Sequence, residues 1–183
     1  MASKKSQRHV MIDLETTSTK TNAAILTMAA FVFDPFSNTL PKESDGFYCR
    51  IDLDSCMNIG MDIDEGTMQW WSKQSEEAIA DAFSEENRIS ISEAIVTFNK
   101  FAKNCTHFWA NSPNFDMAIL EYAAAKCNVG VCWQYYQLRD VRTINSLVTL
   151  EKPKTAHDAL EDTLNQVFLI QKAFKELNIK SIT

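Results

Sequence analysis

Glycine and proline are scarce, four of each in 183 residues, so a long disordered linker between domains is not expected. Long apolar runs are missing as well. None reaches the roughly 20 residues that a membrane span needs, and no signal-peptide pattern opens the chain. There is no Cys-x-x-Cys. The five cysteines, Cys49, Cys56, Cys105, Cys127 and Cys132, are odd in number and irregularly spaced. Neither a zinc knuckle nor a disulfide framework fits them, and they read as reduced thiols of a cytoplasmic protein. Positive charge is also short. Eighteen Lys and Arg stand against 24 Asp and Glu, a formal net charge of −6. That argues against charge-driven coating of nucleic acid, but not against an enzyme that grips a few nucleotides at one end.

What is present suits one domain with a substantial core. A polar, basic leader is expected over residues 1–8 and a single domain over 9–183. Val10, Ile12 and Leu14 alternate with Met11, Asp13 and Glu15, the period of a strand. A buried strand is expected over 23–33, a turn at Asp34-Pro35-Phe36-Ser37-Asn38, and a third strand over 47–53, making an antiparallel meander. Short helices follow around Asp64 to Trp71 and Ser75 to Phe83. An amphipathic helix runs from Ser90 to Asn104, with Ser90 or Ser92 as its cap. A fourth strand covers 106–110. Ser112-Pro113 has the form of an N-cap followed by a first-turn proline. A fifth strand is expected over 133–138, a short helix over 141–150 and a long one over 155–177. The latter's apolar stripe is Ala159, Leu160, Leu164, Val167, Phe168, Phe174 and Leu177, broken only by Gln171. Strands first, then helices alternating with strands, give an α/β layered domain whose simplest form is a five-stranded mixed sheet with helices on both faces.

The acids carry the functional reading. Asp13 and Glu15 are two apart on a strand, so both carboxylates face the same side. They suit either the solvated face of an edge strand or a hard divalent cation, which takes oxygen ligands. Asp116 follows a short apolar strand, beyond whose end ligands collect in α/β sheets. A carboxylate in a helix's first turn is also favoured by the macrodipole. His157 and Asp162 are about 140° apart around a helix and roughly 7.5 Å along it. They share a site only if His157 lies at the start of the helix and reaches across. There a histidine suits a general base near neutral pH.

Asp13-Leu14-Glu15-Thr16-Thr17, then Asn111 through Phe115-Asp116 to Leu120, then His157-Asp158-Ala159-Leu160-Glu161-Asp162 resemble the three motifs of the DEDDh 3′→5′ exonucleases, in the family's order. The resemblance spans about residues 9–174. Thr67 to Ser75 and Arg139 to Thr143 are similar to segments of a phage and mycobacterial branch of that family. The resemblance implies an RNase H-like fold with a central five-stranded mixed sheet flanked by helices. It implies two divalent ions, Mg2+ or Mn2+, held by Asp13, Glu15, Asp116 and Asp162, with Asp13 shared by both. His157 would take the proton of the attacking water, and nucleoside 5′-monophosphates would leave from 3′ ends. One departure is Ser18, where the family often has glycine next to the terminal nucleotide.

Leu14, Thr16 and Thr17 are expected beside the terminal base and sugar. Trp70 and Trp71 differ by about 100° on a helix, so one of them can be core while the other faces a cleft. Arg139, Arg142, Lys152 and Lys154 are the cationic candidates for phosphate, and Gln74 a polar one. The partner implied is the 3′ end of single-stranded nucleic acid, with no membrane; a homodimer is compatible, and a bacterial or phage-infected cell is the implied setting. Two other readings stay open: a non-catalytic binding module on the same fold, and a proofreading or maturation subunit that depends on a partner.

Overall fold

The computed structural model describes residues 8–150 and 157–182. Strand β1 (His9–Thr16) pairs antiparallel with β2 (Ile25–Phe33), which pairs antiparallel with β3 (Phe47–Ile51). Three short helices follow, α1 (Leu53–Met57), α2 (Glu65–Trp71) and α3 (Glu76–Ala82). Asp64 caps α2 and Ser75 caps α3, each accepting a backbone N–H three residues on. Then come β4 (Arg88–Ile89), α4 (Ile91–Phe101), β5 (His107–Ala110) and α5 (Asp116–Lys126). Strand β6 (Leu138–Asp140), α6 (Val141–Asn145) and α7 (Ala159–Glu176) complete the order.

The expected meander is there, in a sheet of six strands rather than five. Its order is β4-β3-β2-β1-β5-β6, with β4, β5 and β6 joining in parallel. The extra strand, β4, is two residues long and too short to leave a periodic signal. The fifth expected strand is displaced. Tyr135–Gln137 is a 3-10 turn, and pairing starts only at Leu138. Trp133 is instead buried, its Nε1 donating to Glu121 Oε1 at 2.8 Å.

Alternation along β1 divides the core. Val10, Ile12 and Leu14 face α4 and α5, joining Ala94, Ile95, Phe98, Ile119 and Leu120. Met11 faces the other way, with Phe31, Phe33 and Trp109, under Val167, Ile170 and Phe174 of α7. Asp13 and Glu15 follow Met11 on that second face, and they are the two half-buried positions of an otherwise buried strand. The stripe of α7 is rotated from the sequence reading. Thr163, Gln166, Ile170 and Ala173 are buried, whereas Leu177 is exposed. Gln171 belongs to the interior because its Nε2 donates to the carbonyls of Asp34 and Thr39, both at 3.0 Å. The first turn of α7 is held by Asp158, which accepts from the N–H groups of Leu160 and Glu161. Ser112 does not cap a helix with its side chain. Its carbonyl accepts from Phe115 and Asp116 in a turn, and α5 begins only at Asp116. Helix α6 stops at Asn145, five residues short of its expected end. All five cysteines are unpaired. Among the described residues no helix is long and apolar enough to cross a membrane.

Candidate active site

The C-terminal half of strand β1 meets the start of α5 and the start of α7. Asp13, Glu15, Asp116, His157 and Asp162 line one cavity there, of about 360 Å³. Asp116 opens α5 and its Oδ1 accepts the Leu14 N–H at 3.1 Å, which ties the helix to the acid-bearing strand. One donor atom each from Glu15, His157 and Asp162 lie within 4.8 Å of one another. His157 precedes α7 in the left-handed region, φ 54°, a conformation that costs a non-glycine residue some strain. Its own N–H donates to Asp162 Oδ2 at 3.1 Å. The bend off the helix lets two residues that are 140° apart on a helix serve one cavity.

The electrostatics are unfavourable without a cation. Burial, then the charges of Asp116 and Glu15, raise Asp13 well above the ordinary carboxylate range. Burial, then Asp162 and Asp116, push Glu15 up to about 8. Burial raises Asp116 to about 7, although its hydrogen bond from Leu14 and the charge of Arg142 act the other way. Oxygen donors packed this closely, with their charges uncompensated, form a donor set suited to hard divalent ions.

A second, more apolar cavity of about 430 Å³ adjoins the first, and Leu14, Glu15 and Phe115 line both. Thr16, Thr67 and Trp70 form its other walls. Trp70 is 41 % exposed, and its ring meets that of His157 edge-on at 4.8 Å. Trp71 is closed off at 2 % exposure and donates from Nε1 to the Thr16 carbonyl at 2.9 Å. It therefore supports the loop after β1 and has no face to offer a ligand. Thr17 is likewise buried, its hydroxyl bonded to the carbonyls of Ala24 and Asp62. Ser18 is buried and lines neither cavity.

Arg142 is exposed and borders the acid cavity. Arg139 does not. It lies on β6, its Nη1 donating to the carbonyls of Tyr136 and Leu138, and its charge acts on His9 and His107 at the other end of the sheet. Gln74 is turned back onto the Trp70 carbonyl. Lys152 and Lys154 fall outside the described residues. Sequence reasoning missed Gln166, whose Nε2 donates to Asp13 Oδ1 at 2.7 Å, and also Asn145, Asn165 and Phe115 on the cavity wall. The one available signal was spacing. Gln166 is four residues after Asp162, hence on the same helical face.

A family model described as the 3′-5′ exoribonuclease Rv2179c-like domain matches residues 8–174. An exodeoxyribonuclease of Enterobacteria phage T4 is 23% identical over 202 aligned residues, covering 90% of this chain and 88% of the phage protein. Among solved structures, the zinc-bound complex of E. coli ExoI with ssDNA superposes with a TM-score of 0.65 at 12% identity. That match takes in 96% of this chain and 42% of the ExoI chain, so this chain spans less than half of that neighbour's length. The nuclease domain of 3′hExo, a DEDDh family member bound to rAMP, gives a TM-score of 0.61 at 7% identity over 93% of this chain and 92% of that one. The fold is that of the RNase H-like exonucleases.

Proposed function

Because the chain belongs to the Rv2179c-like family of 3′-5′ exoribonuclease domains, we propose that its acid cavity hydrolyses the last phosphodiester of a single-stranded 3′ end with two divalent ions. The observation that carries this is the convergence of Glu15, His157 and Asp162 donor atoms within 4.8 Å, in one cavity with Asp13 and Asp116. Asp13, Glu15, Asp116 and Asp162 would hold the ions, Mg2+ or Mn2+. Bound there, a pair of ions supplies charge stabilisation to both the attacking and the leaving oxygen of an in-line displacement.

The chain's own groups account for the rest. His157 takes the proton of the attacking water at a ring nitrogen and is held toward the acids through its N–H bond to Asp162. The terminal base enters the apolar cavity between Leu14, Phe115 and the exposed face of Trp70. Thr16 closes that cavity, while Trp71 and Thr17 shape it from behind. Arg142 stands at the rim of the acid cavity, where its guanidinium meets phosphate. Lys154 is a second cationic candidate for the backbone. The product is a nucleoside 5′-monophosphate.

The test is product analysis on 5′-labelled single-stranded DNA and RNA of one sequence, with Mg2+, Mn2+ or EDTA. The family description names RNA and the phage relative is an exodeoxyribonuclease, so both strands are needed. A ladder shrinking from the 3′ end is expected, abolished by EDTA and by Asp13→Ala and cut by at least about 100-fold in His157→Ala, general-base catalysis contributing roughly 10²–10⁴. No degradation of either strand with either metal would overturn the reading.

A further inference from the structure

Two amide oxygens at the acid cavity are buried and lack a donor among the described residues, Oε1 of Gln166 and Oδ1 of Asn145. Both residues line that cavity, and Gln166 is only 7 % exposed. The orientation of Gln166 is fixed by chemistry. Its Nε2 donates to Asp13 Oδ1 at 2.7 Å. With a cation bound Asp13 is ionised and only accepts, so the amide then turns its oxygen away from Asp13. Burying such an oxygen without a donor is costly, and native structures rarely do it without an ion or a water to complete the set. The cavity wall does not complete it: the carboxylates of Asp13, Glu15, Asp116 and Asp162 accept when ionised, and neither His157, Asn165 nor Arg142 donates to either oxygen.

A ligand that brings its own donors would complete both oxygens. A hard cation crowded by four carboxylates has oxygen ligands enough near at hand. Mg2+ in particular sheds water reluctantly and keeps several waters when bound. Those waters are polarised by the ion and donate strongly, and acceptors outside the coordination sphere orient the ligands within it. We propose that Asn145 and Gln166 are outer-sphere acceptors that hold the water ligands of a hydrated divalent cation, which seats one ion beside Asp13 with part of its hydration shell kept. Gln166 is then a positioning residue with two ends. One end holds the Asp13 carboxylate and the other holds a water of the ion that this carboxylate serves. Asn145, at the end of α6, brings the second acceptor from a different element. The inference rests on the metal-site reading given under Proposed function.

Cobalt(III) hexammine tests it, because its ammonia ligands do not exchange and it binds only through outer-sphere hydrogen bonds. Calorimetric titration of the metal-free protein with MgCl2 and, separately, with cobalt(III) hexammine gives affinities without any turnover. Wild type is expected to bind both, competitively. Asn145→Leu and Gln166→Met each weaken hexammine binding by about tenfold or more, the usual effect of removing an outer-shell partner. Asn145→Asp and Gln166→Glu keep an acceptor oxygen and bind at least as tightly as wild type. Circular dichroism melts show which variants are folded, and Asn145→Leu decides the matter alone if Gln166→Met does not fold. Unchanged hexammine affinity in folded Asn145→Leu would overturn the proposal. So would unchanged Mg2+ affinity in folded Asn145→Leu and Gln166→Met, since the ion would then be held by direct ligands only. A wild type that binds neither would remove the metal-site reading itself, and this proposal with it.

Discussion

Trp70 and Trp71 show how far single residues could be read in advance. Helical geometry requires them to point apart, but nothing in the sequence says which one is core. Packing decides it. Trp71 finds a buried acceptor in the Thr16 carbonyl and an edge-on partner in Phe83, while Trp70 is left facing His157 and the apolar cavity. Stacking of a base on an aromatic ring contributes about 1–3 kcal/mol. Trp70→Ala should therefore raise the KM for a short oligonucleotide by about 5- to 150-fold, with Trp70→Phe recovering most of the loss. Trp71→Ala should instead lower the melting temperature. Steady-state kinetics beside a thermal melt separate the two. The acids and His157 were legible because charged and titratable types at fixed spacings carry a chemical meaning of their own. Gln166 and Asn145 were not, because an amide is equally at home on any surface.

Helix α7 shows the same limit on a larger element. Its length and general face follow from periodicity, but its rotation does not. Asp162 and Gln166 must face the acid cavity, and Gln171 must reach the turn after β2. These polar demands displace the stripe from the most hydrophobic face to one that buries Thr163, Gln166 and Gln171. Gln171 replaced by leucine should cost about 1–3 kcal/mol, because the carbonyls of Asp34 and Thr39 then lose a buried donor. Chemical denaturation measures that loss. Turnover per folded molecule at room temperature should hold, since Gln171 lies outside both cavities. Strand β4 and the 3-10 turn before β6 escaped the sequence reading for another reason. Two- and three-residue elements are set by the neighbours they join, not by any period of their own.

At the scale of the whole molecule the fold class was legible, because the antiparallel start and the later alternation of helix and strand leave few layered arrangements. Stability against pH is a property of this scale too. The acids whose folded values are raised, Glu15 to about 8 and Asp116 to about 7, bind protons more tightly folded than unfolded. Their stabilising protonation is complete below about pH 4 and its contribution is lost progressively from there until pH has risen through 7 and 8. His9 works in the opposite direction. It is buried beside His107 and Arg139 and lowered to about 3, so the unfolded chain takes up its proton first and its own contribution to stability falls as pH drops below about 6.5. In EDTA the melting temperature should therefore decline from pH 6.5 to 8, above the range in which His9 opposes the acids, and millimolar Mg2+ should flatten that decline. A decline of equal slope with and without Mg2+ would count against cation binding at the acids. Finally, β1 lies inside the sheet, laddered to β2 along its length, Asp13 and Glu15 included, and to β5 over His9, Val10 and Met11. A strand laddered in a sheet opens only when the cooperative unit around it opens. Asp13 and Glu15 are held by that ladder, while His157, before the first turn of α7, is held by its bond to Asp162 and its contact with Trp70. The cavity is thus assembled from one half that a sheet holds and one half that a single helix start holds.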